Sequence, residues 1–192
     1  ELQASHGAIT AVSNGKERLE ADRYVIAAGC YGATLLKRTG VRLAIQPVKG
    51  YSITLRRGGS GGIQTPVLDD TLHAVVVPVG DAVRVAGTAE FAGYDLRIRA
   101  ARINNLLRLL RQVVPAMTFE TRDVRGWCGL RAMSTDGVPI IGSTPLNNLH
   151  VNTGHGHLGW TMAAGSARLL ADQLSDLATD IDPAPFALKR FR

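Results

Sequence analysis

The sequence predicts a mixed fold: an α/β part interrupted by an α+β part built on antiparallel strands. Three observations carry that expectation. The apolar run Tyr24-Val25-Ile26-Ala27-Ala28 ends in Gly29 and leads into a short helical stretch. At the other end, a strand at Leu149–Asn152 meets a glycine-rich loop and then a long stretch with an apolar stripe. Between them, residues 41–95 alternate polar and apolar positions, the mark of half-buried strands. The chain has 192 residues, 45 % of them hydrophobic, which is enough apolar mass for a buried core.

Ile9–Ser13 reads as a strand, and Asn14-Gly15 is a hairpin signal. The run at 24–28 is continuous enough to suggest a strand buried on both faces, as in a parallel sheet. A helix at Ala33–Arg38, ending at Gly40, follows. Arg42–Val48 and Tyr51–Leu55 form the next strand pair, and Arg57–Gly62 a flexible loop. His73–Val79 and Ala82–Gly87 pair around Gly80-Asp81. Asp95 is placed to cap a helix over Leu96–Val114, stopped by Pro115. Ile103, Leu106, Leu107, Leu110 and Val114 form its apolar stripe. Residues 120–146 return to strand and loop. After Leu149–Asn152, a helix is expected from Trp160 to Leu177, and then a Pro-rich tail opens at Asp182.

Composition narrows the function. Glycine is abundant, 21 residues without a repeat, which points to tight turns and close backbone approaches. The net charge of +6 suits nucleic acid, an anionic membrane face or an anionic small molecule. Arg97, Arg99, Arg102, Arg108 and Arg111 would ring the 96–114 helix. They lack interleaved aromatics and form no tight block, so a solvated basic face is favoured over nucleic-acid binding. No window is long and apolar enough for a membrane-spanning helix, and ELQASHGAIT shows no secretory pattern. Two cysteines, Cys30 and Cys128, argue against a disulfide framework or a structural zinc site and favour a reducing compartment.

The strongest chemical signal is Thr153-Gly154-His155-Gly156-His157-Leu158-Gly159 between a strand and a helix. Main-chain N–H groups at a helix start attract negative charge, and glycines admit a ligand close to the backbone. A merely tight turn is the alternative. His150, His155 and His157 suggest zinc, but no carboxylate or cysteine stands beside them, so the reading is against a metal. Arg131 leaves a strand among small and apolar neighbours, either paired with an acid or offered bidentately to an anionic ligand. Cys128 has no base at a recognisable spacing, and Asp69-Asp70 have no visible partner. The strand end at Ala28 and Gly29 lies where open α/β sheets bind ligands.

Together, ADRYVIAAGCYGATLL (21–36), QPVKGYSITL (46–55), VRVAGTAEFAGYD (83–95), GWCGLRAMSTDGVPIIGST (126–144) and LHVNTGHGHLGWTMAAGSARLLADQL (149–174) resemble the D-amino-acid oxidase-like family of FAD-dependent oxidoreductases, especially its dehydrogenase branch. The resemblance implies an FAD-binding, Rossmann-like domain at 1–45 and 126–192, interrupted by an antiparallel-sheet substrate domain at 46–125. It implies oxidative deamination of D-amino acids: hydride passes from Cα to flavin N5, giving a 2-oxo acid and ammonia, with electrons handed to a respiratory acceptor. By the same resemblance Arg131 holds the substrate carboxylate, and His73 and Tyr51 lie near the substrate. Ala28, Gly29, Gly154, His155, Gly156, His157, Leu158 and Gly159 meet the cofactor. A glycine- or sarcosine-type amine oxidase is the alternative within the family, and a non-enzymatic basic binding module the alternative outside it. The family's opening GxGxxG is absent, so the resemblance implies a fragment whose nucleotide cradle lies on a missing N-terminal segment or partner chain. The expected location is cytoplasmic, with peripheral attachment at the inner face of the plasma membrane through the basic surface.

Overall fold

The computed structural model describes residues 1–56, 63–118 and 124–191, so the expected loop at 57–62 lies outside the described residues. In chain order the strands and helices are β1 (Leu2–Ser5), β2 (Ala8–Ser13), β3 (Arg18–Leu19), β4 (Tyr24–Ile26), α1 (Gly32–Leu36), β5 (Ile45–Arg56), β6 (Val67–Asp69), β7 (Ala74–Val79), β8 (Ala82–Glu90), α2 (Ala100–Val113), β9 (Arg125–Ser134), β10 (Ile140–Ser143), β11 (Leu149–Thr153) and α3 (Gly159–Leu174). The chain divides into two units, Glu1–Pro47 with Arg131–Arg192, and Val48–Leu130.

In the first unit, β1, β2 and β3 form an antiparallel sheet. The Asn14 Oδ1 closes its second turn by accepting the N–H groups of Lys16 and Glu17 at 2.9 and 2.8 Å. A second sheet runs β10-β11-β4, with β11 parallel to β4 and antiparallel to β10. Ile9, Ile26, Leu36, Ile140, Leu149 and Val151 fill the core on one side of it. Ile141 meets Leu169 and Leu170 of α3 on the other. The expectation that the 24–28 run is buried on both faces fails at Val25, which is 42 % exposed. β4 is the edge strand of this sheet among the described residues. α3 stops at Leu174 rather than Leu177, because the Ser175 N–H bonds back to the carbonyls of Ala171 and Asp172 and Asp176 turns to φ 56°.

The second unit is a five-stranded sheet, β6-β7-β8-β5-β9, backed by α2. Leu106, Leu107, Leu109 and Leu110 of α2 pack on Tyr51, Ile53, Val76, Val83 and Val85. Two expectations are corrected here. The strands expected at 42–48 and 51–55 are one strand, β5, with a register shift between Lys49 and Tyr51. α2 begins at Ala100, not Leu96, because Asp95 closes its own turn by accepting the N–H and Nε–H of Arg97 at 2.9 and 3.0 Å. The shifted β5 buries Lys49 completely. Its ammonium lies 3.3 Å from Glu90 and 3.9 Å from Asp95 and donates to the Arg97 carbonyl at 3.1 Å. A buried charge persists only when surrounded in this way.

Candidate functional site

Because β4 and β11 run parallel, with Leu149 beside Tyr24 and Val151 beside Ile26, their carboxyl ends come out together. They are tied there: the buried Thr153 hydroxyl donates to the Gly29 carbonyl at 3.0 Å. Gly29 opens a 3-10 turn, and Ala28 precedes it half-buried. Directly after Thr153 the chain enters the glycine loop, in which Gly156–Leu158 makes one 3-10 turn before α3 starts at Gly159.

Gly154 and Gly156 both take left-handed backbone, φ 83° and 57°. A Cβ on Gly154 would sit 3.3 Å from the Ser134 Cβ, and one on Gly156 only 2.7 Å from the Met133 Sδ. Glycine at these two positions therefore lets Ser134 and Met133 of β9 pack close against the loop. The amino end of the 16-residue α3 stands behind it, with the positive pole of its dipole.

The loop is also attached to the strand that carries Arg131. Met133 of β9 and His155 form an antiparallel bridge, so β9 passes beside the loop. Arg131 and Met133 share one face of β9, about 7 Å apart along the strand. Arg131 is half-buried, and burial pulls its guanidinium pKa below the ordinary arginine value, while a guanidinium stays a cation in proteins.

The loop histidines differ from one another. The His155 Nε2 lies 2.8 Å from the Ser166 Oγ of α3, and burial lowers its pKa, which favours the neutral ring. His157 and Leu158 are exposed. His150 sits back in β11, its pKa lowered by burial and then by the charge of Arg23, and its Nδ1 is buried without a partner. Among the described residues no three His, Cys, Asp or Glu side chains gather to hold a metal.

Tyr51 and His73 belong to the second unit. Tyr51 is buried, and its hydroxyl donates to Glu90 at 2.6 Å. Burial, followed by this bond, raises the phenol pKa, while the bond draws the Glu90 carboxylate down. His73 is exposed at φ 45°, just ahead of β7. The residues that sequence reasoning missed are Met133, Thr153 and Ser166. Thr153 opens the loop motif, but nothing in the spacing links it to Gly29, and Ser166 lies eleven positions beyond its partner.

The FAD dependent oxidoreductase family, DAO, matches residues 1–173. The chain belongs to the DAO family of FAD-dependent oxidoreductases. It is 44 % identical over 190 residues to the D-amino acid dehydrogenase of Granulibacter bethesdensis, covering 95 % of this chain and 44 % of that protein. It is equally identical over 191 residues to an uncharacterized oxidoreductase of Halorhodospira halophila, covering 95 % of this chain and 84 % of that one. Among solved structures, glycine oxidase from Geobacillus kaustophilus superposes with a TM-score of 0.87 at 27 % identity, over 99 % of this chain and 51 % of the other. The chain thus spans about half the length of the D-amino acid dehydrogenases it matches. The mixed fold and the oxidoreductase family expected from the sequence both stand.

This DAO site is compatible with a flavin on structural grounds. The carboxyl ends of β4 and β11, the main-chain amides of the glycine loop and the amino end of α3 meet there, and together they supply the positive potential that an electron-rich ring edge needs. No described helix is long and apolar enough to cross a membrane.

Proposed function

We propose that the chain forms the flavin-ring and substrate-anchoring portion of an FAD-dependent D-amino acid dehydrogenase, which converts a D-amino acid to the 2-oxo acid and ammonia. The observation that carries this reading is the Met133–His155 bridge, which lays the Arg131 strand along the glycine loop. The names of the relatives at 44 % identity support the substrate class. FAD, when bound, would supply the acceptor for the electron pair removed from the substrate.

In this reading the chain's own residues bind and orient. Arg131 receives the substrate carboxylate in a bidentate pair, which fixes the direction of the Cα–H bond. The loop amides of 154–159 other than Leu158, whose N–H donates to the His155 carbonyl at 3.1 Å, and the α3 dipole stabilise negative charge at the ring's pyrimidine edge. The neutral His155 adds no charge of its own. Ala28 and Gly29 approach the cofactor from the end of β4. His73 stays a candidate substrate contact, while the Tyr51 hydroxyl is already engaged by Glu90. Electron delivery to a respiratory acceptor, and attachment to an anionic membrane through the +6 surface, complete the proposal.

A second reading, a glycine-type amine oxidase, is favoured by the glycine oxidase neighbour. Kinetics of the enzyme containing this chain separate the two. A panel of D-alanine, other D-amino acids, glycine and N-methylglycine is assayed with dye reduction against oxygen consumption. D-alanine turnover with dye and little oxygen uptake supports the dehydrogenase. In the same enzyme Arg131→Ala should raise KM for D-alanine about 10- to 150-fold, the worth of a charge-assisted pair. Unchanged D-alanine kinetics would remove Arg131 from the site.

A further inference from the structure

We infer that His155 is a positioning residue: its hydrogen bond to Ser166 is the strut that sets the glycine loop against α3. The inference rests on the reading of this loop as the flavin-ring site.

The loop is held at three places. At its start, the Thr153 hydroxyl grips the Gly29 carbonyl at 3.0 Å. On one side, the His155 main chain bridges to Met133. On the other, the His155 Nε2 reaches the Ser166 Oγ at 2.8 Å. The first two tie the loop to strands. The third reaches past the loop's own junction with α3 at Gly159 to a side chain inside the helix.

Local sequence makes that third tie consequential. Gly154 and Gly156 flank His155, and glycine offers the widest range of backbone conformations of any residue. Without the strut the two strand ties would hold the His155 main chain but not set its distance from α3. Ser166 is 6 % exposed and lies two helical turns beyond the start of α3 at Gly159. The imidazole therefore spans from the loop to a rigid, buried point in the helix. That span keeps the loop amides and the helix amino end pointing at one place, which a preorganised electrostatic site requires. Burial keeps the ring neutral, so the strut holds the loop without adding a charge beside it.

Amide hydrogen exchange on this chain tests the strut without cofactor. Ser166→Ala and His155→Ala should each speed exchange of the 154–159 amides about fivefold or more, as expected for one lost hydrogen bond of ordinary net strength. The double variant should be no faster than either single one, because both remove the same bond. His155→Gln, whose side-chain amide can reach Ser166, should return exchange to within about twofold of wild type. Unchanged exchange in Ser166→Ala, or additive effects in the double variant, would overturn the inference.

A second arm uses the enzyme containing this chain with FAD added. Ser166→Ala should weaken FAD binding and lower the flavin midpoint potential, because misaligned amides stabilise the reduced ring less. His155→Gln should restore both. If the wild-type protein takes up no FAD, the flavin reading fails and the exchange arm still decides the strut. If it binds FAD but Ser166→Ala leaves potential and exchange unchanged, the strut fails and the flavin reading stands.

Discussion

Replacing Gly156 with alanine tests the conformation on which the glycine loop depends. Gly156 sits at φ 57°, a region in which an L-residue loses about 1–2 kcal/mol. The new methyl would also lie 2.7 Å from the Met133 Sδ and 3.2 Å from its Cε. A methionine side chain has three rotatable bonds and can swing away, at about 1 kcal/mol for leaving a good rotamer. The backbone is therefore the larger part, and the total is about 2–3 kcal/mol. Urea unfolding of wild type, Gly156→Ala, Met133→Ala and the double variant measures this. The cycle should assign about 1 kcal/mol of coupling to the sulfur contact and leave the backbone part untouched. FAD affinity should fall with the loop's displacement. Gly156→Ala within about 0.5 kcal/mol of wild type would refute the left-handed loop, and with it the close packing of Met133 against Gly156.

Three further outcomes are expected. Gly87→Ala should destabilise the second unit by several-fold more than a surface glycine change, because its methyl would meet the Ala74 Cβ at 2.5 Å and backbone atoms at 3.0 and 3.1 Å; thermal unfolding reads this, and a wild-type melting temperature would contradict the close β7–β8 approach. Thr153→Val should cost about 1–3 kcal/mol in the same assay, since the hydroxyl at Gly29 is buried, and a neutral result would mean that the strand ends are not tied there. Asp136 is held down to about 2 from an ordinary 3.8, first by its hydrogen bonds from Arg190. A carboxyl lowered in the folded state adds stability above its unfolded value and loses it as pH falls through the folded one. Asp136→Asn should therefore melt below wild type at pH 7, and the gap should close as the pH falls from 3.8 through about 2. A gap that persists at pH 2 would show that the Arg190 pair is not its source.

Local signals are legible where chain geometry is local. The β4 and β11 strands, the glycine loop and the α3 helix are readable because apolar runs and glycines impose their own backbone preferences. The start of α2 is not. Asp95 looks like a cap, yet it accepts two bonds from Arg97 and lies near Lys49, and the helix begins five residues later at Ala100. The burial of Lys49 is illegible for a similar reason. A lysine between Val48 and Gly50 reads as a surface charge until Glu90, Asp95 and the Arg97 carbonyl are brought around it.

The candidate site divides in the same way. By itself the sequence determines that a flexible, side-chain-poor loop precedes a helix and that an arginine stands on a separate strand, since residue type and spacing are properties of the chain. Only the tertiary structure decides that Met133 joins that strand to the loop, that Thr153 closes onto Gly29, and that His155 meets Ser166. Those contacts join residues 11 to 124 positions apart. A hydrogen bond reads distance in space, and no periodicity along a chain encodes that distance.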